Sequence, residues 1–256
     1  MPQSISVTYA NAYGRFSVAD NICGFSFGVG AAGIPPLAPA AEASIFGTSN
    51  GIPPTSGLSL INNAAPGGPA EDRASTPDQD LDGALCLRAL AIGETKAKGN
   101  KHDSDAGRVA EGVDEIIASG KLHGVPAIFV TGRNDGILPP NHTSRAYVGL
   151  NNVAEGKHST VHYYEVTNAH HLDSFNQFPG YNSAYIPLHR YFIQGMDLMY
   201  AHLRTGQALP PSQVVHTTPR GPGAPPITAA NVPPISSTPP ASAQITFTAG
   251  QLRIPD

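Results

Sequence analysis

Hydrophobic positions between residues 103 and 205 switch between helical spacing and the short continuous runs that are typical of buried strands. Residues 105–119 carry apolar side chains at i, i+4, i+7 and i+8 and are followed by Gly120, which indicates an amphipathic helix. The region predicts the order helix 105–119, strand 125–131, helix 141–153 capped by Asn141, strand 161–166 and helix 185–203. The apolar residues of the last helix share one face, namely Leu188, Phe192, Met196, Met199 and Leu203. Helices and strands that alternate in this way are typical of the layered α/β class.

The two flanking regions show few such patterns. Residues 1–102 are rich in Gly, Pro, Ala, Ser and Asn, and only 81–90 has convincing helical spacing, so we expect a loop-rich, cap-like or inserted region. Residues 206–256 hold 11 prolines in 51 positions, which excludes helix and disfavours a central strand. We expect this Pro-rich tail to wrap the domain in extended form or to stay mobile. The layered α/β core is therefore predicted to lie at 103–205.

Composition excludes several classes of function. A net charge of −4, with only 13% charged residues, gives no electrostatic footprint for nucleic acid. Because no run of 18 apolar residues occurs, we expect no membrane partner. The first 20 residues have no apolar run after a basic start, so no secretory signal is visible in this chain.

The two cysteines, Cys23 and Cys86, allow two interpretations. Free cysteines are often buried, so both side chains can be plain packing residues. Alternatively, they form a disulfide that closes a long Gly-rich and Pro-rich region, which implies an oxidising compartment. We expect the bond if the protein is exported, with a contribution of about 4 kcal/mol at most from loop closure.

Candidate catalytic residues follow the two predicted strands. Asp135 comes soon after strand 125–131, and His170 and His171 come soon after strand 161–166. Because functional groups of open α/β sheets lie beyond the carboxyl ends of the strands, these side chains are predicted to converge on one edge of the sheet. Asp followed by His is the chain order of the last two triad members in α/β-hydrolases. The alternatives are a turn-capping Asp135 and a surface or helix-start histidine.

A nucleophile is harder to find. Ser49 lies in Gly47-Thr48-Ser49-Asn50-Gly51, which matches the G-x-S-x-G pattern. A nucleophile elbow needs a strand before it and a helix after it, yet residues 38–46 are not strand-like and Pro53 and Pro54 disrupt a following helix. We therefore interpret Ser49 as a loop serine.

A metal site is not predicted. His158 and His162 are spaced i, i+4, but His162 enters a strand, where that spacing separates the two residues by about 13 Å. This distance is too large for both histidines to chelate one ion. His170, His171 and Asp173 also cluster in the sequence, but we assign them no metal.

Long stretches of the chain resemble the D-(−)-3-hydroxybutyrate oligomer hydrolases, which are bacterial serine esterases of poly-3-hydroxybutyrate degradation. The stretches that carry the resemblance are Tyr9–Phe27, Asp82–Leu90, Gly132–Leu150, Glu165–Phe175, Pro187–Leu203 and Pro210–Pro219. They extend over nearly the whole chain but match only the C-terminal part of the longer family sequence. The resemblance implies a partial α/β-hydrolase fold.

The resemblance also implies roles for site residues. Asp135 takes the role of the triad acid and His171 that of the base, because the family segment Asn-Ala-x-His aligns with Asn168-Ala169-His170-His171. The implied activity is hydrolysis of small 3-hydroxybutyrate oligomers to monomers, without a cofactor, by a secreted or periplasmic enzyme. The family's nucleophile segment is a serine followed by Asn-Gly-Gly, and Ser49-Asn50-Gly51 is only weakly similar to it. We therefore expect this chain to be an inactive fragment.

Two other functions stay open at this stage. One is a tannase-like or feruloyl-esterase-like hydrolase of aromatic esters, and the other is a non-catalytic remnant module. Arg133 and Arg145 lie close to Asp135 in the sequence and are candidates to bind the terminal carboxylate of a substrate. Either arginine can equally be a structural or surface residue.

Overall fold

A computed structural model describes residues 2–29, 36–47, 58–72, 81–93 and 102–256. The chain divides into two compact units, Met1–Ile117 and Ala118–Asp256. Helices and strands occur in both units, in agreement with the predicted α/β class. The unit boundary follows residue 117, whereas the sequence analysis divided the chain at 102 and 205. The interpretation of those regions as cap and hydrolase core stays a prediction.

The first unit combines helices with a small antiparallel sheet of order β1-β2-β3. Its elements are α1 (Pro2–Gly14), β1 (Phe25–Val29), α2 (Pro39–Gly47), β2 (Leu58–Asn62), β3 (Ala70–Glu71), α3 (Leu81–Ile92) and α4 (His102–Ile116). Helices α1, α3 and α4 pack on one another, and Gly112 of α4 makes this possible. A Cβ at Gly112 would lie 2.0 Å from the Tyr13 carbonyl oxygen, so only glycine fits against α1 at this point.

The core of this unit joins the helices to the sheet. Its buried residues include Val7 and Ala10 of α1, Phe25 and Phe27 of β1, and Leu87 of α3. Helix α1 was not predicted, because its small and polar residues give almost no helical apolar pattern and its burial comes from tertiary packing. The unit is therefore more helical than the loop-rich region expected from the sequence.

A disulfide joins Cys23, just before β1, to Cys86 on α3. The two Cα atoms lie 5.6 Å apart, within the range that a disulfide requires. The pairing that the sequence analysis expected for an exported protein is therefore present within the first unit.

The second unit is a layered structure around a parallel sheet of order β4-β5-β6. Its elements are β4 (Ala127–Gly132), α5 (Ser144–Glu155), β5 (Val161–Val166), α6 (Tyr181–Ala184), α7 (His189–Thr205), β6 (Gln213–Val215), β7 (Thr246–Thr248) and β8 (Gln251–Arg253). On the central strand β5, Tyr163 packs with Val148 of α5, whereas Tyr164 packs with Tyr191 of α7. Because neighbouring side chains of a strand point to opposite faces, α5 and α7 cover opposite faces of the sheet.

The predicted elements of this unit are found, with shifted boundaries. Strand 161–166 matches β5, and α5 begins at Ser144. The prediction that Asn141 caps this helix is wrong: Asn141 lies in a separate 3₁₀ turn, because the non-helical backbone of Thr143 separates that turn from α5. Helix α7 begins at His189 rather than at residue 185, since Pro187 disfavours helical backbone at the residue before it.

The Pro-rich residues 206–256 belong to the second compact unit. They supply β6, which lies at the edge of the sheet, and the antiparallel pair β7 and β8. The edge position agrees with the expectation that a proline-rich segment makes a poor central strand.

Candidate active site

Two loops at the carboxyl ends of β4 and β5 form the candidate site, and hydrogen bonds hold them together. The Asn134 amide donates to the Ala169 carbonyl at 2.9 Å, and the Asn168 amide donates to the Asn134 side-chain oxygen at 3.1 Å. A Cβ at Gly132 would lie 2.5 Å from the Ala169 carbonyl oxygen, so a residue without a side chain is needed where the loops meet. The two loops are therefore fixed relative to each other.

This arrangement brings Asp135 and His171 into hydrogen-bond contact. Nδ1 of His171 lies 2.9 Å from Oδ2 of Asp135, and Oδ1 of Asp135 accepts the amides of Ile137 and Leu138 at 2.9 and 2.8 Å. Both carboxylate oxygens of Asp135 are thus engaged, and its side chain is only 9% exposed. The sequence-based expectation that Asp135 and a histidine converge at one sheet edge agrees with this geometry.

The surroundings of Asp135 favour its ionised form. Partial burial acts to raise the pKa of Asp135, but hydrogen bonds from the Leu138 amide, from His171 and from the Ile137 amide outweigh it, so the pKa lies below its ordinary value. An ionised Asp135 accepts a hydrogen bond from the N–H group at Nδ1 of His171, and this tautomer has the lone pair of the imidazole on Nε2. Within the described ranges, no hydrogen bond engages that Nε2 atom.

The neighbouring His170 has a different environment. Its side chain is buried, its Nε2 lies 2.9 Å from Oδ1 of Asn176, and it stacks on Phe175. The rings of Tyr181 and Tyr185 contact it edge-on. This side chain therefore anchors the loop, whereas His171 faces Asp135.

A buried carboxylate on β5, that of Glu165, binds two arginines near the site. Glu165 on β5 is fully buried. Arg145 of α5 binds both its oxygens at 2.6 and 2.7 Å, and Arg133, in the loop after β4, binds one of them at 2.5 Å. Burial acts to raise the pKa of Glu165, but hydrogen bonds from Arg145, Tyr163 and Arg133 lower it below the ordinary value. Arg133 also donates to the Pro255 carbonyl at 2.7 Å.

This network was not found from the sequence. Glu165 is the one carboxylate in the predicted strand 161–166, and a charge inside a buried strand requires a partner, which was the available signal. The engagement of both arginines with Glu165 favours their structural interpretation over carboxylate binding.

An open cleft of about 460 Å³ lies beside the two catalytic candidates. Most of its lining is apolar. The residues that line it are Phe129, Val130, Thr131, Gly132, Asp135, Leu138, Thr143, Ser144, Tyr147, His171 and Leu188. The cleft is therefore bordered by the carboxyl half of β4, by α5 and by the segment that leads into α7.

Other candidates from the sequence have different outcomes. Ser49 lies outside the described residues. The described part of the chain contains no group of three or more His, Cys, Asp or Glu side chains with the geometry to hold a metal ion. Nδ1 of His162 lies 2.7 Å from the Pro210 carbonyl oxygen, and burial lowers the pKa of His162.

Among the helices of the described ranges, none combines the length and the apolar character needed to cross a bilayer.

Comparison with known proteins identifies the family. The family model for 3HB-oligomer hydrolase matches residues 1–256. Proteins named D-(−)-3-hydroxybutyrate oligomer hydrolase from Albidiferax ferrireducens and Polaromonas naphthalenivorans are each 49% identical, over 98% and 99% of this chain. The protein of that name from Paraburkholderia xenovorans is 44% identical over 99% of the chain.

The match covers only part of each relative. The chain spans 37%, 37% and 34% of the length of these three proteins. No solved structure matches the chain. Since the family model covers every residue, the chain belongs to the 3HB-oligomer hydrolase family.

Proposed function

We propose that this chain supplies the acid and the base of a serine-type ester hydrolase that cleaves D-3-hydroxybutyrate oligomers to monomers. The observation that carries the proposal is the hydrogen bond between His171 and Asp135 at the ends of adjacent parallel strands. The chain order Asp then His and the family membership support the same reaction. We further propose that the second unit is part of an α/β-hydrolase fold.

In the proposed reaction, Nε2 of His171 takes the proton of a serine hydroxyl as the serine oxygen attacks the ester carbonyl. Backbone amides stabilise the resulting oxyanion. When the tetrahedral intermediate collapses, the C–O bond of the ester breaks and the imidazolium of His171 gives its proton to the departing alkoxide oxygen, which becomes the hydroxyl group of the released product. Water then attacks the acyl-enzyme by the same route and releases the acid. Asp135 stays ionised and holds the imidazole with its proton on Nδ1.

The nucleophile is proposed to lie outside the described residues. Among the described residues, no hydroxyl or thiol forms a hydrogen bond with Nε2 of His171. We do not propose Ser49, because Pro53 and Pro54 in the sequence disfavour the helix that follows an elbow nucleophile.

The proposal also covers cofactor and compartment. Acyl transfer through a serine and a histidine needs no cofactor. We propose an exported enzyme, because a disulfide such as Cys23–Cys86 persists in oxidising compartments.

The test is a substrate profile of the full-length enzyme that contains this chain. Release of monomer from D-3-hydroxybutyrate dimer and trimer is measured beside hydrolysis of a methyl ester of a hydroxylated aromatic acid. We expect a kcat/KM for the dimer at least 100-fold above that for the aromatic ester. The reverse preference would support the tannase-like alternative, and no turnover of either class would support a non-catalytic module.

A further inference from the structure

The cleft beside Asp135 and His171 follows the open edge of strand β4. It is lined by the consecutive residues Phe129, Val130, Thr131 and Gly132. Because side chains alternate between the faces of a sheet, a cleft on one face would be lined by every second residue. Its border also includes Tyr147 of α5 and Leu188 before α7, which lie on opposite faces of the sheet. The cleft is therefore an edge groove.

Half of the backbone groups of β4 point to its open edge, away from β5. The amides of Ala127 and Arg133 donate towards the β5 side, to the carbonyls of Thr160 and Val166. Peptide groups alternate in direction along a strand, so the backbone groups of the odd-numbered residues of β4 face β5, and those of Ile128 and Val130 face the open edge. In the described part of the chain, no strand pairs with that side of β4.

The opposite edge of the same sheet is covered. Beyond β6, the Ile245 amide donates to the Ser212 carbonyl at 2.9 Å, and Gln213 forms a bridge with Gln244. All three residues of β6 are buried, whereas Ala127 to Thr131 of β4 are each only half-buried. An unprotected edge is a template for pairing with another strand, so the difference between the two edges indicates an absent neighbour.

Helix α7 extends this surface with an apolar row. Phe192, Met196 and Leu203 are 52%, 58% and 68% exposed, although the sequence predicts them on the apolar face of the helix. On the other flank of α7, Gln194 accepts the Ile235 amide at 3.0 Å, which places that flank on the β6 side. Gly195 packs over Ile128 and Val130, so the apolar row borders the open side of β4.

We propose that the open edge of β4, together with the row Phe192, Met196 and Leu203, is the docking surface for a β-strand. This strand comes from the part of the family's polypeptide that these 256 residues do not span, which is nearly two thirds of the length of the relatives. The strand runs parallel to β4, as β5 and β6 do, so its carboxyl end lies beside His171. The apolar row packs against the part of the same polypeptide that covers this strand.

Residue-resolved amide exchange tests the proposal without reference to activity. In the 256-residue chain alone, the amides of Ile128 and Val130 should exchange at least 10-fold faster than those of Phe129 and Thr131. In the full-length relative from Albidiferax ferrireducens, the amides aligned with Ile128 and Val130 should be protected as well as their neighbours. Fast exchange at those two positions in the full-length protein would overturn the proposal.

A complementation experiment identifies the occupant. The part of the Albidiferax ferrireducens relative that this chain does not span is co-expressed with the 256-residue chain, and the complex is purified. Met196→Lys should reduce recovery of the complex at least 10-fold, while Ile227→Lys, also at an exposed apolar residue, should leave it unchanged. Slow exchange of the Ile128 and Val130 amides in the isolated 256-residue chain would contradict the proposal. Light scattering then shows what covers the edge. A monomeric chain would indicate that another part of the same chain covers it, and a dimer would indicate a second copy.

Discussion

Two adjacent histidines, His170 and His171, differ in what their side chains contact, and a pair of variants separates their roles. His171→Ala in the full-length enzyme should lower kcat by about 10³–10⁶-fold, because members of a triad act as a unit. His170→Ala should keep most of the activity but lower Tm by several degrees, because a buried ring and its bond to Asn176 are lost. Esterase kinetics below the Tm of each variant and thermal unfolding provide the measurements. An inactive His170→Ala variant beside an active His171→Ala variant would make His170 the base, and two active variants would contradict the triad interpretation. The control is His158→Ala, at an exposed histidine.

The buried charge of Glu165 stabilises the fold through its ion pairs with Arg133 and Arg145. Glu165→Gln removes the negative charge that two guanidinium groups share, and we expect a loss of about 3 kcal/mol in the free energy of unfolding. Because the folded pKa of Glu165 lies below its ordinary value of 4.5, this stabilisation is present above that pH and declines as the pH falls through the folded pKa. Urea unfolding at pH 7 and at pH 3 measures it, with the exposed Asp197→Asn as control. An equal difference between wild type and variant at both pH values would contradict the linkage.

At the scale of elements, the disulfide constrains the first unit by linking the segment before β1 to α3. Reduction, or Cys86→Ala, should destabilise this unit by up to about 4 kcal/mol, since the bond closes a loop of about 60 residues in the unfolded chain. Thiol titration in denaturant should find no free thiols before reduction, and calorimetry with and without reductant should show a lowered transition. A transition that does not move would mean that the packing of α1, α3 and α4 is sufficient without the bond.

The same scale shows which elements could be predicted from the sequence. Strand β4, and with it the position of Asp135 after a strand, was predicted from the continuous apolar run 125–131. Strand β5 was predicted from Val161–Val166, which includes His162 and Glu165 among its apolar and aromatic residues. Helix α1 was missed because its sequence has almost no apolar periodicity. The charge of Glu165 inside a predicted strand indicated that a partner was needed, but local sequence does not show that the partners are Arg133 and Arg145. The helical spacing of Phe192, Met196 and Leu203 was visible, but periodicity cannot tell what covers an apolar face.

At the scale of the whole molecule, the two units differ in what they bring to the proposed reaction. The described residues that meet the geometric requirements of an acid and a base, Asp135 and His171, both lie in the second unit. The groove beside them is a strand edge with apolar borders. If a strand from the rest of the family's polypeptide occupies this groove, the same docking event completes the sheet and brings further chain to Nε2 of His171.

Reaction with a fluorophosphonate probe tests where the nucleophile lies. Such a probe bonds covalently to a serine only when a base has activated its hydroxyl group. We expect the probe to label the full-length enzyme but not the 256-residue chain alone. We also expect the Ser49→Ala variant of the full-length enzyme to keep an activity within a few-fold of wild type. The reason is that Pro53 and Pro54 in the sequence disfavour the helix that an elbow nucleophile needs after it. Mass spectrometry locates the label, and His171→Ala should abolish it in the full-length enzyme. A label on Ser49 in the isolated chain would show that Asp135, His171 and Ser49 form a complete triad within these 256 residues.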